Sequence, residues 1–419
     1  MTPENLRFLT PSLVRDIAAA HGSPVFVLDE ALLRQRANET LAFPNAFGLT
    51  VRYAMKAHPN RAVLTLFHEM GLHIDASSGP EVHRALAAGI PPGHISLSAQ
   101  ELPPDLGDLL DRGIVFNATS LQQIRTAGSL RPGRDIGLRF NPGLGSGGTN
   151  RTNVGGPASS FGIWHEQAAE AREVLNTHNL RCVRIHSHIG SGSDPAVWQR
   201  VAGLNLELVR GFPDVTVLDL GGGFKVGRMS TEISTDLQEV GQPIRKALLE
   251  FEQETGRRLH LEIEPGTYLV ANAGALISRI QDKVHTGTNG YTFYRLDTGM
   301  TDVLRPSLYG AQHPLVVVGR EHDPVDTEEV IVVGHCCESG DILTPTPGDP
   351  EALQPRLVLK GNLNDYVVIE GVGAYCSSMC TSGYNSFPAS PEVMVESGGD
   401  RFRLIRRPQS FESLWEREI

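Results

Sequence analysis

The chain has 419 residues, which allows two or three domains and an ample hydrophobic core. Its net charge is −11 and it has no basic block, so nucleic acid and anionic membranes are poor candidates for partners. No apolar run approaches the ~18 residues of a membrane span, and residues 1–6 lack the pattern of a secretory signal. Both absences predict a cytoplasmic protein. The five cysteines are an odd number spread over a long chain and lack zinc-ligand spacing, which predicts free thiols and no metal site.

Apolar segments, each followed by a helical pattern or a long loop, recur along the chain as far as residue 264. Strands that alternate with helices imply a parallel sheet, and eight of them in about two hundred residues fit a closed (β/α)8 barrel. No G-x-G-x-x-G follows a first strand, which weakens the alternative of an open dinucleotide-binding sheet. The predicted strands are residues 51–55, 72–76, 95–98, 114–117, 136–140, 183–188, 215–220 and 260–264.

After about Leu276 the pattern changes to short strands with few helices between them, which predicts an all-β domain. These strands are residues 291–297, 315–319, 328–333, 366–369, 392–395 and 402–405. We therefore expect three parts. They are an N-terminal helix and strand over residues 1–35 that pack with the β domain, a barrel over residues 36–275, and the β domain over residues 276–419.

Lys56 stands at the end of the first predicted barrel strand, just before a proline turn. Burying a lysine is expensive, and the loss of water lowers its pKa, which suits a lysine that holds a carbonyl cofactor as a Schiff base. The ordinary alternative is a lysine whose stem lies in the wall while its charge reaches solvent. Other strand ends are needed to decide between the two.

Catalytic groups of a barrel collect at the carboxyl ends of its strands, so the candidate residues are those that follow each predicted strand. His186-Ser-His188 is followed by small residues and Asp219 by three glycines, and backbone N–H groups in such loops can approach a phosphate. Glu262 and Glu264 share one face of a strand, and Glu264 is placed to pair with a protonated pyridine nitrogen. Separately, these signals also fit a core histidine or a flexible turn. Together with Lys56 they describe a pyridoxal phosphate site.

Eight segments distributed over nearly the whole chain carry a family resemblance. They are Tyr53-Ala-Met-Lys-Ala, His188-Ile-Gly-Ser-Gly, Asp219-Leu-Gly-Gly-Gly, Glu264-Pro-Gly, Arg305-Pro-Ser-Leu-Tyr309, Cys337-Glu-Ser-Gly-Asp341, Gly373-Ala-Tyr375 and Tyr384-Asn385. The chain resembles the fold-type III pyridoxal-phosphate decarboxylases, which act on diaminopimelate, ornithine or arginine, and it is most similar to the diaminopimelate branch.

The resemblance implies that Lys56 carries pyridoxal 5′-phosphate, that the cofactor ring stacks on His188 and that Glu264 faces the pyridine nitrogen. The phosphate would be held by Ser191, Gly222, Gly223 and the backbone of Gly266. Substrate or phosphate would be bound by Arg305, Tyr309, Glu338 and Tyr375.

Cys337 is the proton donor that the resemblance implies, and its surroundings can move a thiol pKa close to neutrality. Without the motif, a small buried hydrophobic side chain would be the ordinary interpretation. In this family Cys337 and Glu338 reach the active site of a neighbouring subunit. The resemblance therefore implies an obligate homodimer.

Thr267 departs from the family pattern, because the chain has Glu264-Pro-Gly-Thr267 where the family usually has Glu-Pro-Gly-Arg. The family arginine helps to bind the phosphate or the far carboxylate of the substrate, and a planar, two-pronged anion contact is lost with it. Either Arg305 takes over the carboxylate or the substrate lacks that group.

The resemblance implies removal of the carboxylate at the D-configured centre of meso-2,6-diaminopimelate, giving L-lysine and carbon dioxide in lysine biosynthesis. Three alternatives remain: a decarboxylase of ornithine, lysine or arginine, an enzyme like alanine racemase, and a cofactor-binding protein without turnover. The Cys337-Glu-Ser-Gly-Asp341 motif argues against a racemase, which lacks it. Release of carbon dioxide separates the decarboxylases from the last two.

Overall fold

The computed structural model describes residues 2–144, 155–188, 190 and 195–419. Contacts divide the chain into two units. The barrel unit holds residues 34–226 and 233–269, and the β unit holds residues 1–33, 227–232 and 270–419. In the part of the chain described, no helix is long and apolar enough to cross a membrane.

The chain begins with α1 (Pro11–His21), β1 (Val25–Asp29) and α2 (Glu30–Leu41). Thr10 caps α1, because its hydroxyl accepts a hydrogen bond from the Leu13 N–H at 3.2 Å and satisfies a donor that the first helical turn leaves open. The buried face of α1 packs on β1 and its sheet through Leu13, Val14 and Ile17.

Within the described residues, eight parallel strands close a ring in the order β2-β3-β4-β5-β6-β8-β9-β10 and back to β2, and β7 pairs with β6 outside the ring. This confirms the predicted (β/α)8 barrel. The strands are β2 (Leu49–Ala54), β3 (His73–Ala76), β4 (Ile95–Leu97), β5 (Val115–Ala118), β6 (Asp135–Asn141), β7 (Ile163–Trp164), β8 (Arg181–His186), β9 (Val217–Asp219) and β10 (His260–Ile263).

The helices between these strands bury one apolar face each, as their spacing of apolar residues predicts. Side-chain caps fix where several of them begin: Asn60, Ser78 and Ser120 each accept a bond from an N–H of the first turn. The helices are α3 (Arg61–Glu69), α4 (Gly79–Ala87), α5 (Leu106–Asp111), α6 (Leu121–Leu130), α7 (Ala168–Thr177), α8 (Pro195–Arg210) and α9 (Leu237–Thr255).

A charged triad of Arg52, Arg184 and Glu262 is buried among the barrel strands. Arg52 donates to the Glu262 carboxylate from Nε at 2.8 Å and Nη2 at 3.0 Å, and Arg184 donates from Nε and Nη2 at 3.0 Å each. Burial opposes the ionisation of Glu262, but the two guanidiniums outweigh it and lower the pKa of the carboxyl. Glu262 therefore stays ionised between the two guanidiniums, and the triad has one positive charge in excess.

Three histidines of the barrel unit form a stack away from the strand carboxyl ends. The rings of His73 and His94 lie 3.9 Å apart and nearly parallel, and His68 meets His94 edge-on at 5.3 Å. Burial, followed by the charges of Arg52 and His94, lowers the pKa of His73 to about 4. Glu262 acts weakly in the opposite direction.

We expect His73 to make the protein sensitive to acid. Its pKa is about 4 when folded and about 6.5 when unfolded, so its stabilisation is complete above pH 6.5 and is lost as the pH falls towards 4. After allowance for solvent screening, the free energy of unfolding should fall by about 1 kcal/mol more in the wild type than in His73→Phe between pH 7 and 5. Urea denaturation at both pH values measures this, with His83→Gln, at an exposed histidine, as control. Equal losses in wild type and His73→Phe would contradict it.

The β unit is built on a sheet with the strand order β17-β14-β12-β11-β1-β19-β20, and β18 joins β11 to β13. Two hydrophobic cores of the β unit lie on opposite faces of β1 and β11, and α1 covers one of them. A separate sheet domain was predicted and is confirmed. The remaining elements are α10 (Thr267–Val270), β11 (Gly274–His285), β12 (Thr292–Leu296), α11 (Arg305–Tyr309), β13 (Leu315–Val318), β14 (Thr327–Val333), β15 (Pro345–Thr346), β16 (Asp349–Leu353), β17 (Arg356–Leu359), β18 (Tyr366–Glu370), β19 (Glu392–Val395) and β20 (Phe402–Arg406).

Candidate active site

Lys56 lies in a single 3-10 turn, Met55–Ala57, directly after β2. The turn is fixed from the end of β10: the Ala54 N–H donates to the Pro265 carbonyl at 3.2 Å, and a Cβ on Gly266 would lie 3.2 Å from the Ala54 Cβ. The side chain of Lys56 is exposed, so its charge reaches solvent, one of the two arrangements considered for it from the sequence. The reason is that the strand ends one turn earlier, at Ala54, and the turn presents Lys56 to an open cavity.

This cavity has a volume of about 630 Å³, which is within the range of small-molecule sites. Lys56 and Arg139 line it together with residues that follow β3, β4 and β5. Arg139 is a buried cation of β6, and its guanidinium lies 5.4 Å from the centre of the Phe161 ring. The cavity therefore opens at the carboxyl ends of the barrel strands, as expected for a catalytic barrel.

His188 lies two residues beyond β8, and its Nδ1 accepts a hydrogen bond from the Gly222 N–H at 2.9 Å. Burial, then the charges of Lys56 and Arg139, lowers the pKa of His188 well below its ordinary value. The ring is therefore neutral at physiological pH. The hydrogen bond from Gly222 orients the ring. A Cβ on Gly221 would lie 2.6 Å from His188 Nδ1, so the turn beside the ring requires glycine.

The glycine turn after β9 offers backbone rather than side chains. Gly221 and Gly223 have φ of 66° and 107°, which favour glycine, and a Cβ on Gly222 would lie 2.2 Å from the Glu264 carbonyl oxygen. The Trp198 Nε1–H donates to the Gly222 carbonyl at 3.2 Å and holds the turn. Ser191, predicted at the same phosphate site, lies outside the described residues.

Glu264 follows β10 and is 6% exposed. Its Oε2 lies 3.2 Å from His186 Nε2, and a carboxylate oxygen of Asp219 lies within 4.8 Å of the Glu264 carboxylate. Burial, followed for Asp219 by the neighbouring charge of Glu264, raises the pKa of both groups. The ligand atoms of His186, Asp219 and Glu264 lie within 4.8 Å of one another, a spacing that a metal ion also accepts.

Asp75 is a buried acid near Lys56 that the sequence analysis missed. It lies inside β3 and accepts a hydrogen bond from the Ser96 hydroxyl at 3.0 Å. Burial and the charge of Glu264 raise its pKa well above the ordinary value, while the Lys56 ammonium acts to lower it. Arg139 was missed as well. Both residues lie within strands, whereas the sequence argument concerns the residues at strand ends. A charge inside an apolar strand is the signal that would have found them.

In the β unit, Arg305 and Tyr309 are the first and last residues of α11. The Arg305 guanidinium carbon lies 5.8 Å from the centre of the Tyr309 ring, and no described group accepts a hydrogen bond from its Nε. Tyr375 has φ of 56°, in the left-handed region that non-glycine residues seldom adopt. Strain of this kind is often found at functional sites.

Cys337 and Glu338 are exposed and belong to a loop tied to a second predicted motif. The Cys337 N–H donates to the Asn385 side-chain carbonyl at 2.9 Å, and the Tyr384 hydroxyl donates to Glu338 Oε2 at 3.3 Å. Asp341 holds the loop by accepting from the Cys336 and Met300 N–H groups at 2.9 and 2.7 Å. The structure thus brings the Cys337-Glu-Ser-Gly-Asp341 and Tyr384-Asn385 motifs together.

The barrel unit defines a class of protein: a (β/α)8 enzyme that holds a phosphorylated, cationic heterocycle beside a lysine. Comparison with known proteins narrows it. Residues 32–271 match the family model described as pyridoxal-dependent decarboxylase, pyridoxal binding domain. The diaminopimelate decarboxylase of Streptomyces coelicolor is 36% identical over 410 residues, covering 96% of this chain and 90% of that protein. The chain belongs to the pyridoxal-dependent decarboxylase family, and its cofactor is pyridoxal 5′-phosphate.

Solved structures agree over the whole length. A crystal structure of a diaminopimelate decarboxylase superposes with a TM-score of 0.91 at 33% identity, covering 98% of this chain and 97% of that one. The diaminopimelate decarboxylase from Helicobacter pylori, complexed with L-lysine, gives a TM-score of 0.83 at 29% identity, covering 96% and 98%.

The described residues fit pyridoxal phosphate. The raised pKa values of Asp219 and Glu264 mean that the barrel supplies too little positive charge for this buried pair, and a protonated ring nitrogen supplies it. The glycine turn after β9 brings backbone without side chains to this end of the barrel, which suits a phosphate. The neutral ring of His188 offers a flat surface to an aromatic ring.

Proposed function

We propose that this chain catalyses the decarboxylation of meso-2,6-diaminopimelate at its D-centre, giving L-lysine and carbon dioxide in lysine biosynthesis. The observation that carries the proposal is the opening of Lys56 into the 630 Å³ cavity at the carboxyl ends of the barrel strands. The full-length similarity to diaminopimelate decarboxylases supports the choice of substrate.

In the barrel unit, Lys56 would attach the cofactor through Nζ and His188 would support its ring. Glu264, which lies 3.2 Å from His186 Nε2, would accept a hydrogen bond from the ring nitrogen and favour its protonation. The phosphate would be bound by the backbone of Gly223 and Gly266 and by Ser191, whereas the N–H of Gly222, predicted for the same role, donates to His188 Nδ1. The cofactor supplies an electron sink for the electron pair left when carbon dioxide departs.

In the β unit, Arg305 and Tyr309 bind the far carboxylate of the substrate, and Glu338 binds its distal amine. The guanidinium presents parallel N–H donors to a carboxylate, and the Tyr309 hydroxyl adds a further donor. Tyr375, held in its strained conformation, contacts substrate and cofactor.

Cys337 returns a proton to the substrate carbon that has lost its carboxylate. We place Cys337 and Glu338 in the active site of a second subunit of a homodimer. Both side chains are exposed within this chain, at a cavity of about 680 Å³ in the β unit, which supports their use by a partner.

Mixing two inactive variants tests this arrangement. Cys337→Ala and Lys56→Ala, each nearly inactive alone, should recover about one quarter of wild-type activity after random subunit exchange, because half the dimers are hybrids with one fully native site. Each variant, incubated alone through the same exchange, is the control. No recovery after exchange has been verified by mass spectrometry would show that Cys337 and Lys56 serve the same subunit.

Thr267 favours one alternative, a decarboxylase of ornithine, lysine or arginine, because the family arginine is missing there. A substrate panel separates the two: meso-diaminopimelate and its stereoisomers, with both enantiomers of lysine, ornithine and arginine, scored for carbon dioxide. We expect meso-diaminopimelate to have the highest kcat/KM. A higher value for ornithine or lysine would establish the alternative. Activity should also survive a chelator, because His186, Asp219 and Glu264 are assigned to the cofactor and not to a metal ion.

All five cysteines lie in described parts of the chain and are free thiols. We propose that the protein works in the cytoplasm, where reducing conditions keep thiols free.

A further inference from the structure

Arg228 is a buried arginine that none of the family motifs assigns. It belongs to residues 227–232 of the β unit and is 8% exposed. Its Nε donates to the Gly371 carbonyl at 2.9 Å, and a Cβ on Gly371 would lie 3.1 Å from the Arg228 Cγ. Gly371 has φ of 71°, so this position suits glycine for its backbone as well as for the space that Arg228 occupies.

The Arg228 guanidinium is incompletely paired. Its Nη2 is buried and has no hydrogen-bond partner among the residues described, and none of their carboxylates forms an ion pair with it. The nearby Glu232 carboxylate accepts instead from the backbone N–H of Arg228 at 2.7 Å. Arg305 likewise has a buried Nε without a partner in the same set of residues. A buried guanidinium without a counterion is expensive, so these donors are suited to an anion from outside the chain.

Arg228 and Arg305 both affect the pKa of one buried histidine, His313. His313 is 2% exposed, and its Nδ1 lies 3.0 Å from the Glu370 carbonyl oxygen. Glu370 directly precedes Gly371, whose carbonyl accepts the hydrogen bond from Arg228. Burial, then Arg228 and then Arg305, lowers the pKa of His313 well below its ordinary value. Burial and the charge of Arg305 also lower the pKa of Arg228 to about 9. The Arg305 charge therefore acts on the buried Arg228 guanidinium, and both charges act on His313.

We propose that Arg228 and Arg305 together bind the distal carboxylate of the substrate, and that Arg228 determines the preference for a substrate with this second carboxylate. The inference rests on the proposed function. It accounts for Thr267, because the chain supplies its second cation from Arg228 instead of the family position. A substrate such as ornithine, with no second carboxylate, would leave both guanidiniums unpaired.

Binding of L-lysine and cadaverine to the holoenzyme tests the proposal without turnover. L-lysine keeps the distal carboxylate of diaminopimelate, and cadaverine differs only in lacking it. Arg228→Gln should weaken L-lysine binding, measured by calorimetry, by about thirtyfold to a hundredfold, the range for loss of a charge-assisted pair. Cadaverine binding should change by less than about threefold. Arg7→Gln is the matched control, because Arg7 donates to the Arg228 carbonyl and its loss disturbs the same loop while the Arg228 guanidinium is kept.

Steady-state kinetics allow a second comparison, between the substrates meso-diaminopimelate and D-lysine, which also differ only in the distal carboxylate. Arg228→Gln should lower the ratio of their kcat/KM values by about thirtyfold or more, mainly through KM for diaminopimelate. Arg228→Lys covers the case in which the glutamine variant does not fold. It should lower the ratio about tenfold, because a lysine cannot form two parallel bonds to a carboxylate.

Three results would overturn the inference. Equal weakening of L-lysine and cadaverine would show that Arg228 only maintains the structure. A higher dissociation constant for the cofactor, with the L-lysine to cadaverine ratio unchanged, would assign Arg228 to the phosphate. An unchanged ratio with unchanged cofactor binding would leave Arg228 without a role in substrate binding. If wild-type enzyme releases no carbon dioxide from meso-diaminopimelate, the proposed function fails instead, and this is measured separately.

Discussion

Lys56→Ala should lower kcat by about a thousandfold or more, because Lys56 is the one lysine among the described residues that line the cavity, and its amine holds the cofactor. The purified wild-type protein should absorb near the visible edge, and the variant should lose that band. Borohydride treatment of the wild type should fix the cofactor to the peptide that contains Lys56, as mass spectrometry would show.

Lys246→Ala is the matched control. Lys246 is an exposed lysine of the same unit, and its Nζ lies 3.6 Å from a carboxylate oxygen of Glu250 on the surface. It should keep wild-type activity and absorbance. A Lys56→Ala protein with the parent turnover rate, or a borohydride label on another lysine, would refute the assignment.

Arg305→Ala should lower kcat/KM for meso-diaminopimelate by about a hundredfold or more, the scale of about 3 kcal/mol for the loss of a charge-assisted pair. Arg305→Lys should recover little, because an ammonium group cannot form the two-pronged contact. Steady-state kinetics with both variants measure this.

The control for Arg305 is Arg401→Ala, at an exposed arginine that pairs with Glu396 at 3.2 Å. It should leave kcat/KM within about twofold, as surface ion pairs contribute little. If Arg305→Ala retains its preference for meso-diaminopimelate over D-lysine, Arg305 does not bind the second carboxylate.

The eight barrel strands were predictable because each is a short apolar run separated from the next by a helix or loop. The strand β11 (Gly274–His285) was missed, although it is central to the second sheet. Its first half is buried on both faces and its second half is mostly exposed, so it shows no single alternation along its length. Residues 227–232 gave no signal of belonging to the β unit, since only long-range contacts place them there.

The predicted site residues were found at strand ends because glycine loops, a proline and single charges mark those positions locally. Asp75 and Arg139 lie inside strands, where an apolar run hides one charge. Arg228 could not be predicted, because its significance depends on Gly371, which is distant in sequence, and on the absence of a carboxylate facing it among the described residues. Electrostatic environment is a property of the assembled fold and not of a local pattern.

The buried triad of Arg52, Arg184 and Glu262 restricts how such a barrel can change through descent. Losing one partner of a buried ion pair costs about 3–5 kcal/mol, a large share of the stability of a typical domain. Replacing all three by apolar side chains of similar volume can be neutral, whereas losing Glu262 alone leaves two buried guanidiniums without a counterion. Among descendants of a common ancestor we therefore expect chains that keep both arginines but lose Glu262 to be rare.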